Sequence, residues 1–188
     1  MLKKMLGTAV VLALAGALPA HAATVSIAPD STWHAFDVSD VASNDQGLGW
    51  YDFDSGEPLA FTIDVAAGQT VLLKVVDAGY AGDRFQVSDN GTPIGLTSAV
   101  DPNGNGLDVF LDFDWALDSG SFSYGFFFLG EGFHTITGLL AQSSLDSPNV
   151  TVGAVSAAPV PLPASVLLLF SGGGLMSLFT RRRKPSAA

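Results

Sequence analysis

Ala60-Phe61-Thr62-Ile63-Asp64-Val65 alternates apolar and polar side chains, with Phe61, Ile63 and Val65 on one face. A period of two is the mark of a strand with one face in a core. Ala66-Ala67-Gly68-Gln69 reads as a turn, and 70–76 as a second strand rich in β-branched residues, which suit a pleated surface. The stretch 84–88 places Phe85 and Val87 together, and Asp89-Asn90-Gly91-Thr92 follows it. Asn-Gly supplies the two positive φ angles of a type I′ hairpin turn, so 93–97 is the returning strand. Further strands fit 106–113, 122–129, 133–140 and 149–155, with shorter ones at 24–28 and 33–38. No capped stretch of helical period stands out between Ala23 and Val155. These eight short strands and two shorter candidates, at near-regular spacing, predict an all-β fold, an antiparallel β-sandwich or jelly-roll-like domain. The stretch 39–56, rich in Asp, Ser, Asn and Gly, reads as a long loop carrying Trp50 and Tyr51.

The flanks of this domain have another character. Lys3 and Lys4 precede an apolar run from Met5 to Leu18, and Pro19-Ala20-His21-Ala22 ends it with a helix break and an A-x-A site. This is the layout of a signal peptide over 1–22, with cleavage after Ala22 and Ala20 as the other small recognition residue. The β-rich domain then spans 23–158, and 159–188 forms a tail in three parts. Val160-Pro161-Leu162-Pro163 comes first, and its prolines fix φ and turn the preceding residues away from helix. An uncharged stretch over 164–180 follows, about 25 Å long as a helix at ~1.5 Å per residue, at the short end of what crosses a bilayer. Arg181, Arg182, Arg183 and Lys184 close the chain and favour the cytoplasmic side of a membrane.

A Pro-x-Pro motif, a transmembrane helix and an arginine-rich end, in this order, resemble the PEP-CTERM sorting signal of exopolysaccharide-producing Gram-negative bacteria. The resemblance maps onto Val160, Pro161, Leu162 and Pro163, and onto Arg181 to Arg183, with Leu162 where the name-giving Glu stands. It implies recognition by an exosortase, a membrane-embedded cysteine transpeptidase-like enzyme that removes the helix. The expected course is an inner-membrane-anchored precursor, then a protein at the cell surface or in the extracellular matrix. The stretches Gly82–Gly91, Gly95-Leu96-Thr97-Ser98, Ser119–Phe122 and Leu129–Ile136 are similar to β-sandwich ectodomains on other proteins of this kind. That likeness bears on the fold and names no reaction.

Charge narrows the partners. Six of the 8 basic residues lie in the two targeting segments, so Lys74 and Arg84 stand alone against all 18 acids, a net charge of −16 for the domain. Such a surface excludes nucleic acid, because no cationic footprint meets the phosphates. The chain has no cysteine, so disulfides contribute nothing to an exported fold.

Two candidate sites follow from side-chain chemistry. Asp101, Asn103 and Asn105 occupy positions 1, 3 and 5 of a loop with Gly106 at 6, and Asp108 and Asp112 add carboxylates. This is the D-x-[DN]-x-[DN]-G spacing of a calcium loop, with Asp112 in place of the usual bidentate Glu. The competing reading is a strand connection whose Asp residues cap turns. Trp50 and Tyr51 offer apolar platforms with polar tips for a carbohydrate, against the alternative of core packing. No enzymatic constellation is legible: there is no cysteine nucleophile, no H-E-x-x-H and no G-x-S-x-G. The expectation is a non-enzymatic structural or adhesive protein in an exopolysaccharide setting, the alternative being a carbohydrate-binding module with a defined glycan site.

Overall fold

The computed structural model describes residues 22–40, 43–44 and 47–161. Ala20, the segment 164–180 and Arg181 to Arg183 fall outside these residues, as do Leu162 and Pro163. The domain is all-β, two sheets packed face to face with one short helix. In chain order the strands are β1 (Ala23–Ser26), β2 (Trp33–Val38), β3 (Ser43–Asn44), β4 (Gly47–Leu48), β5 (Leu59–Val65), β6 (Val71–Ala78), β7 (Arg84–Asp89) and β8 (Thr92–Leu96). The helix α1 (Phe113–Ser119) precedes β9 (Tyr124–Leu129), β10 (Gly132–Gln142) and β11 (Thr151–Pro159). One sheet has the order β1-β5-β10-β7-β8 and the other β2-β11-β6-β9, while β3 and β4 form a small hairpin. All pairings are antiparallel except that of β1 with β5.

Phe61, Ile63 and Val65 of β5 are buried as predicted, in one cluster with Phe36, Leu73, Val75 and Phe85 of the surrounding strands, whereas on the other face Ala60 and Thr62 are covered as well and only Asp64 is exposed. Asn90 and Gly91 take φ of 49° and 76°, as the β7–β8 turn requires. The sandwich has a proximal end, where β11 runs out at Pro159 against Val71, and a distal end, where Thr151 pairs with Val38.

Two expectations are corrected. The stretch 106–113 is not a strand: it is a loop leading into α1, because Asp112 caps the helix by accepting a hydrogen bond from the Trp115 N–H at 3.0 Å. Gly120 ends it with φ of 70°. Phe113, Ala116 and Leu117 recur at helical spacing and pack with Phe122, Val76 and Ala154 in a second small core on the outer face of the four-stranded sheet. The second correction concerns Trp50, which lies in no free loop. Its backbone N–H donates to Gly138 O and its carbonyl accepts from Leu59, while Tyr51 exchanges both bonds with Asp37. Residues 49–51 therefore stitch the two sheets along one side, and the indole goes inward onto Phe36, with ring centroids 4.0 Å apart. Gly138 makes room for it, since a Cβ there would meet the indole at 2.1 Å.

Candidate functional site

A cleft with exposed rings and carboxylates in its walls lies on the outer face of the four-stranded sheet, near its distal end. Ala35 and Asp37 project from β2 on the same side as Val152, which is Asp37's partner on β11. Together they floor a cleft of about 500 Å³. One wall is a tight turn in which the Ser55 N–H donates to Asp52 Oδ1 at 2.8 Å and the Gly56 N–H to Asp52 O at 2.7 Å. This turn presents Asp52, Phe53 and Asp54. The other wall is Phe110 and Leu111, just before the helix cap. Phe53 is 73% exposed and Phe110 71%, so neither ring is spent on the core.

Phe110 sits in the left-handed region at φ of 55°, a conformation costly for a bulky residue. Its backbone is held from both sides. The Phe110 N–H donates to Asp108 Oδ1 at 2.7 Å, and its carbonyl accepts from the Gly79 N–H at 3.2 Å. A smaller recess of about 240 Å³ continues the cleft past Tyr51 and Tyr80.

The electrostatics of the cleft are one-signed. Burial, followed by the charges of Asp52 and Asp54, pushes the Asp37 carboxyl above its ordinary value. Hydrogen bonds from Ser55 hold that of Asp52 below it. No basic side chain lines the cleft. The domain's Lys and Arg are engaged elsewhere: Lys74 Nζ stands 6.0 Å over the Trp33 ring, and the Arg84 guanidinium donates to the carbonyls of Thr97 and Ser98.

Each sequence-predicted residue has a definite place. Of the carbohydrate pair, Tyr51 borders the recess, whereas Trp50 is 2% exposed and is corrected to a core residue. The calcium spacing becomes a run of local caps. Asp101 accepts from the Asn103 N–H, Asn103 from the Asn105 N–H, Asp108 from the Phe110 N–H and Asp112 from the Trp115 N–H. Among the described residues no three His, Cys, Asp or Glu side chains come together in a group that could hold a metal. A depression of about 750 Å³ beside this loop is lined by Asp101, Asn103 and Asn105 together with Val100, Leu107 and small residues, without an aromatic wall.

Beneath the loop lies a feature that strand periodicity does not disclose. Asp77 and Asp83 are both fully buried at the distal end of the core. Asp77 Oδ2 accepts from the Asp83 N–H at 3.2 Å, and Asp83 Oδ1 from the Ser144 N–H at 2.7 Å. Asp83 Oδ2 has no hydrogen-bond partner. Burial drives both carboxyls up, Asp83 to about 6 and Asp77 well above its usual value, where the charge of Asp83 adds to the effect. The signal available in the sequence was two acids flanking the Gly79–Gly82 turn inside apolar strands.

No family model matches the chain, and no curated protein matches it significantly. Among solved structures it is similar to the pre-peptidase C-terminal domain of a collagenase from Bacillus anthracis, at 9% identity and a TM-score of 0.38 over 75% of this chain and 98% of that one. It is also similar to an insecticidal delta-endotoxin from Bacillus thuringiensis, at 12% identity and a TM-score of 0.38 over 73% of this chain and 26% of the toxin. Likenesses this distant carry no functional argument.

Proposed function

We propose that this chain is an exported, non-enzymatic adhesive protein of the cell surface or extracellular matrix, processed by an exosortase at its C-terminal tail and contacting exopolysaccharide through the distal cleft. The observation that carries the reading is the position of the tail relative to the fold. β11 ends at Pro159, and the Val160 N–H still donates to Thr70 O at 3.0 Å. The motif Val160-Pro161-Leu162-Pro163 thus begins at a residue that is itself bonded to the domain. Val152 in the cleft and Val160 at the motif are eight residues apart along one strand, about 26 Å at ~3.3 Å per residue. A membrane anchor at the proximal end leaves the cleft facing outward. The alternative of a carbohydrate-binding module with a defined site draws on the same cleft, because exposed rings beside carboxylates suit pyranose faces and hydroxyls. Calcium has no step in this reading.

The test is to produce the chain in a host with and without an exosortase and to compare intact masses of released and membrane-bound protein. The expected result is release of a shortened chain only where the enzyme is present, and its loss in Pro161→Ala/Pro163→Ala. An unchanged mass in both hosts would refute the sorting assignment.

A further inference from the structure

We infer that the distal cleft is built for a cationic amino-sugar segment of a polysaccharide, whose ring face packs against Phe53 and Phe110 while its ammonium groups meet the carboxylates that line the cleft, Asp37, Asp52 and Asp54, one at a time. The inference rests on the adhesive reading above and narrows it to one class of glycan.

The starting point is the groove. Ala35 and Val152 make an apolar floor, and Phe53, Phe110 and Leu111 stand exposed beside it. Water gains by their being covered, and the cleft falls within the usual range of ~300–1,000 Å³ for small-ligand sites. Charge selects the occupant. Three carboxylates surround this floor, no basic side chain lines it, and Asp37 already feels the repulsion of its neighbours. The domain as a whole carries 18 acids against Lys74 and Arg84. A polyuronate or sulfated glycan would be repelled at long range and would bring further negative charge into the cleft. A cation relieves the repulsion and gains from the ring faces as well, since Phe attracts cations through its quadrupole. A lysine side chain needs one carboxylate and a narrow path for its stem. Three acids spread around an apolar floor instead suit a ligand with a broad apolar face and several polar groups, which is what an amino-pyranose presents.

The test uses the full-length chain in mild detergent, titrated calorimetrically at mildly acidic pH with a β-1,4-linked glucosamine hexamer. The fully N-acetylated hexamer, an oligouronate and oligolysine serve as comparison probes. The glucosamine hexamer should bind at least about tenfold more tightly than its N-acetylated form, and the oligouronate should not bind. Phe53→Ala and Phe110→Gly, the latter compatible with the positive φ, should each weaken binding severalfold. Asp37→Asn/Asp54→Asn should abolish the preference for the free amine.

Equal affinity for the two hexamers would overturn the inference and leave a neutral-glycan adhesin. Binding that survives loss of both rings, or oligolysine binding as tight as the sugar, would reduce it to nonspecific attraction to an acidic protein and overturn it too. If no probe binds and the chain also fails to sediment with the exopolysaccharide of its own producing cells, the adhesive reading falls with it.

Discussion

The two ends of the sandwich close the same core by opposite means. At the distal end the chain is drawn tight: the loop around Gly104 presses on the Ala81 backbone, Gln142 Nε2 donates to Gly82 O and Val100 O, and two acids are sealed in without a counter-charge. At the proximal end Gly68, Gly91, Gly130 and Gly132 turn in open space, and a single ion pair covers the opening. There, His134 Nδ1 meets Asp89 Oδ2 at 2.7 Å and Nε2 meets Gly130 O at 2.9 Å. A carbonyl only accepts, so Nε2 donates, and the carboxylate favours a proton on Nδ1 as well, which makes the ring a cation. The difference teaches where this fold tolerates variation and where it holds a shape. The distal end carries the strained Phe110 and the cleft, while the proximal end carries the exit to the sorting motif.

The largest effect should come from the glycines. A Cβ at Gly104 would lie 2.2 Å from Ala81 O, a backbone atom that cannot rotate away. Gly104→Ala should therefore displace the distal loop and cost about 2–4 kcal/mol in denaturant unfolding. Gly130→Ala at the proximal end meets nothing and should stay within about 0.5 kcal/mol. Similar costs at both sites would break the contrast.

Much of this architecture was legible and some of it was not, for physical reasons. Phe61, Ile63 and Val65 announce a strand because one buried face imposes a period of two, and Asn90-Gly91 announces a turn because few residues accept positive φ. Asp112 was harder. In Val109-Phe110-Leu111-Asp112-Phe113 the alternation of a strand and the start of a capped helix overlap, and only tertiary packing of Phe113, Ala116 and Leu117 on Val76 decides between them. Trp50 misled because polar neighbours signal a loop, whereas its burial depends on a hole at Gly138, almost ninety residues away in the chain (138 against 50). The cleft residues Asp37, Phe53 and Phe110 carry no motif at all. They meet only because segments 52–56 and 108–111 flank the same patch of β2 and β11.

The next effect is set by pH. Asp83 rises from 3.8 to about 6 in the fold, so the stability associated with its neutral form is complete below about 3.8 and is lost as pH rises through 6. The two-unit shift corresponds to something on the order of 3 kcal/mol. Acidification from about pH 7.5 to 5 should thus raise the melting temperature, and the part of the rise due to Asp83 is the part that Asp83→Asn removes. Asp83→Asn keeps an acceptor for the Ser144 N–H while removing the titration. It should be at least as stable as the parent at neutral pH and should flatten the profile. A parent that loses stability steadily over this window would count against the sealed pair.

His134 should give a smaller signal of the same sign. Burial disfavours its charged form, but the hydrogen bonds to Asp89 and Gly130 and the charge of Asp89 outweigh it and raise the pKa above 6.5. Its contribution is therefore present below 6.5 and fades as pH climbs past the raised value. His134→Gln should cost about 1 kcal/mol at mildly acidic pH and less at alkaline pH, because the pair is partly open to solvent. NMR titration of the imidazole locates the folded pKa directly, and a value below that of a free histidine would sink the proximal ion pair.

The smallest effect belongs to the tail and bears most on function. β11 is paired on both sides, with β2 and β6, and among the described residues its ladder ends with the bond from the Val160 N–H to Thr70 O. A chain ending at Pro163 should then melt within about 2 °C of the full-length protein, the shift expected from well under 1 kcal/mol in a domain of this size. A large loss would mean that the tail supports the sandwich, and a processing enzyme would then release a damaged domain. An unchanged melt, combined with destabilisation by Gly104→Ala, would place the adhesive shape at the distal end and leave the proximal end free to be cut.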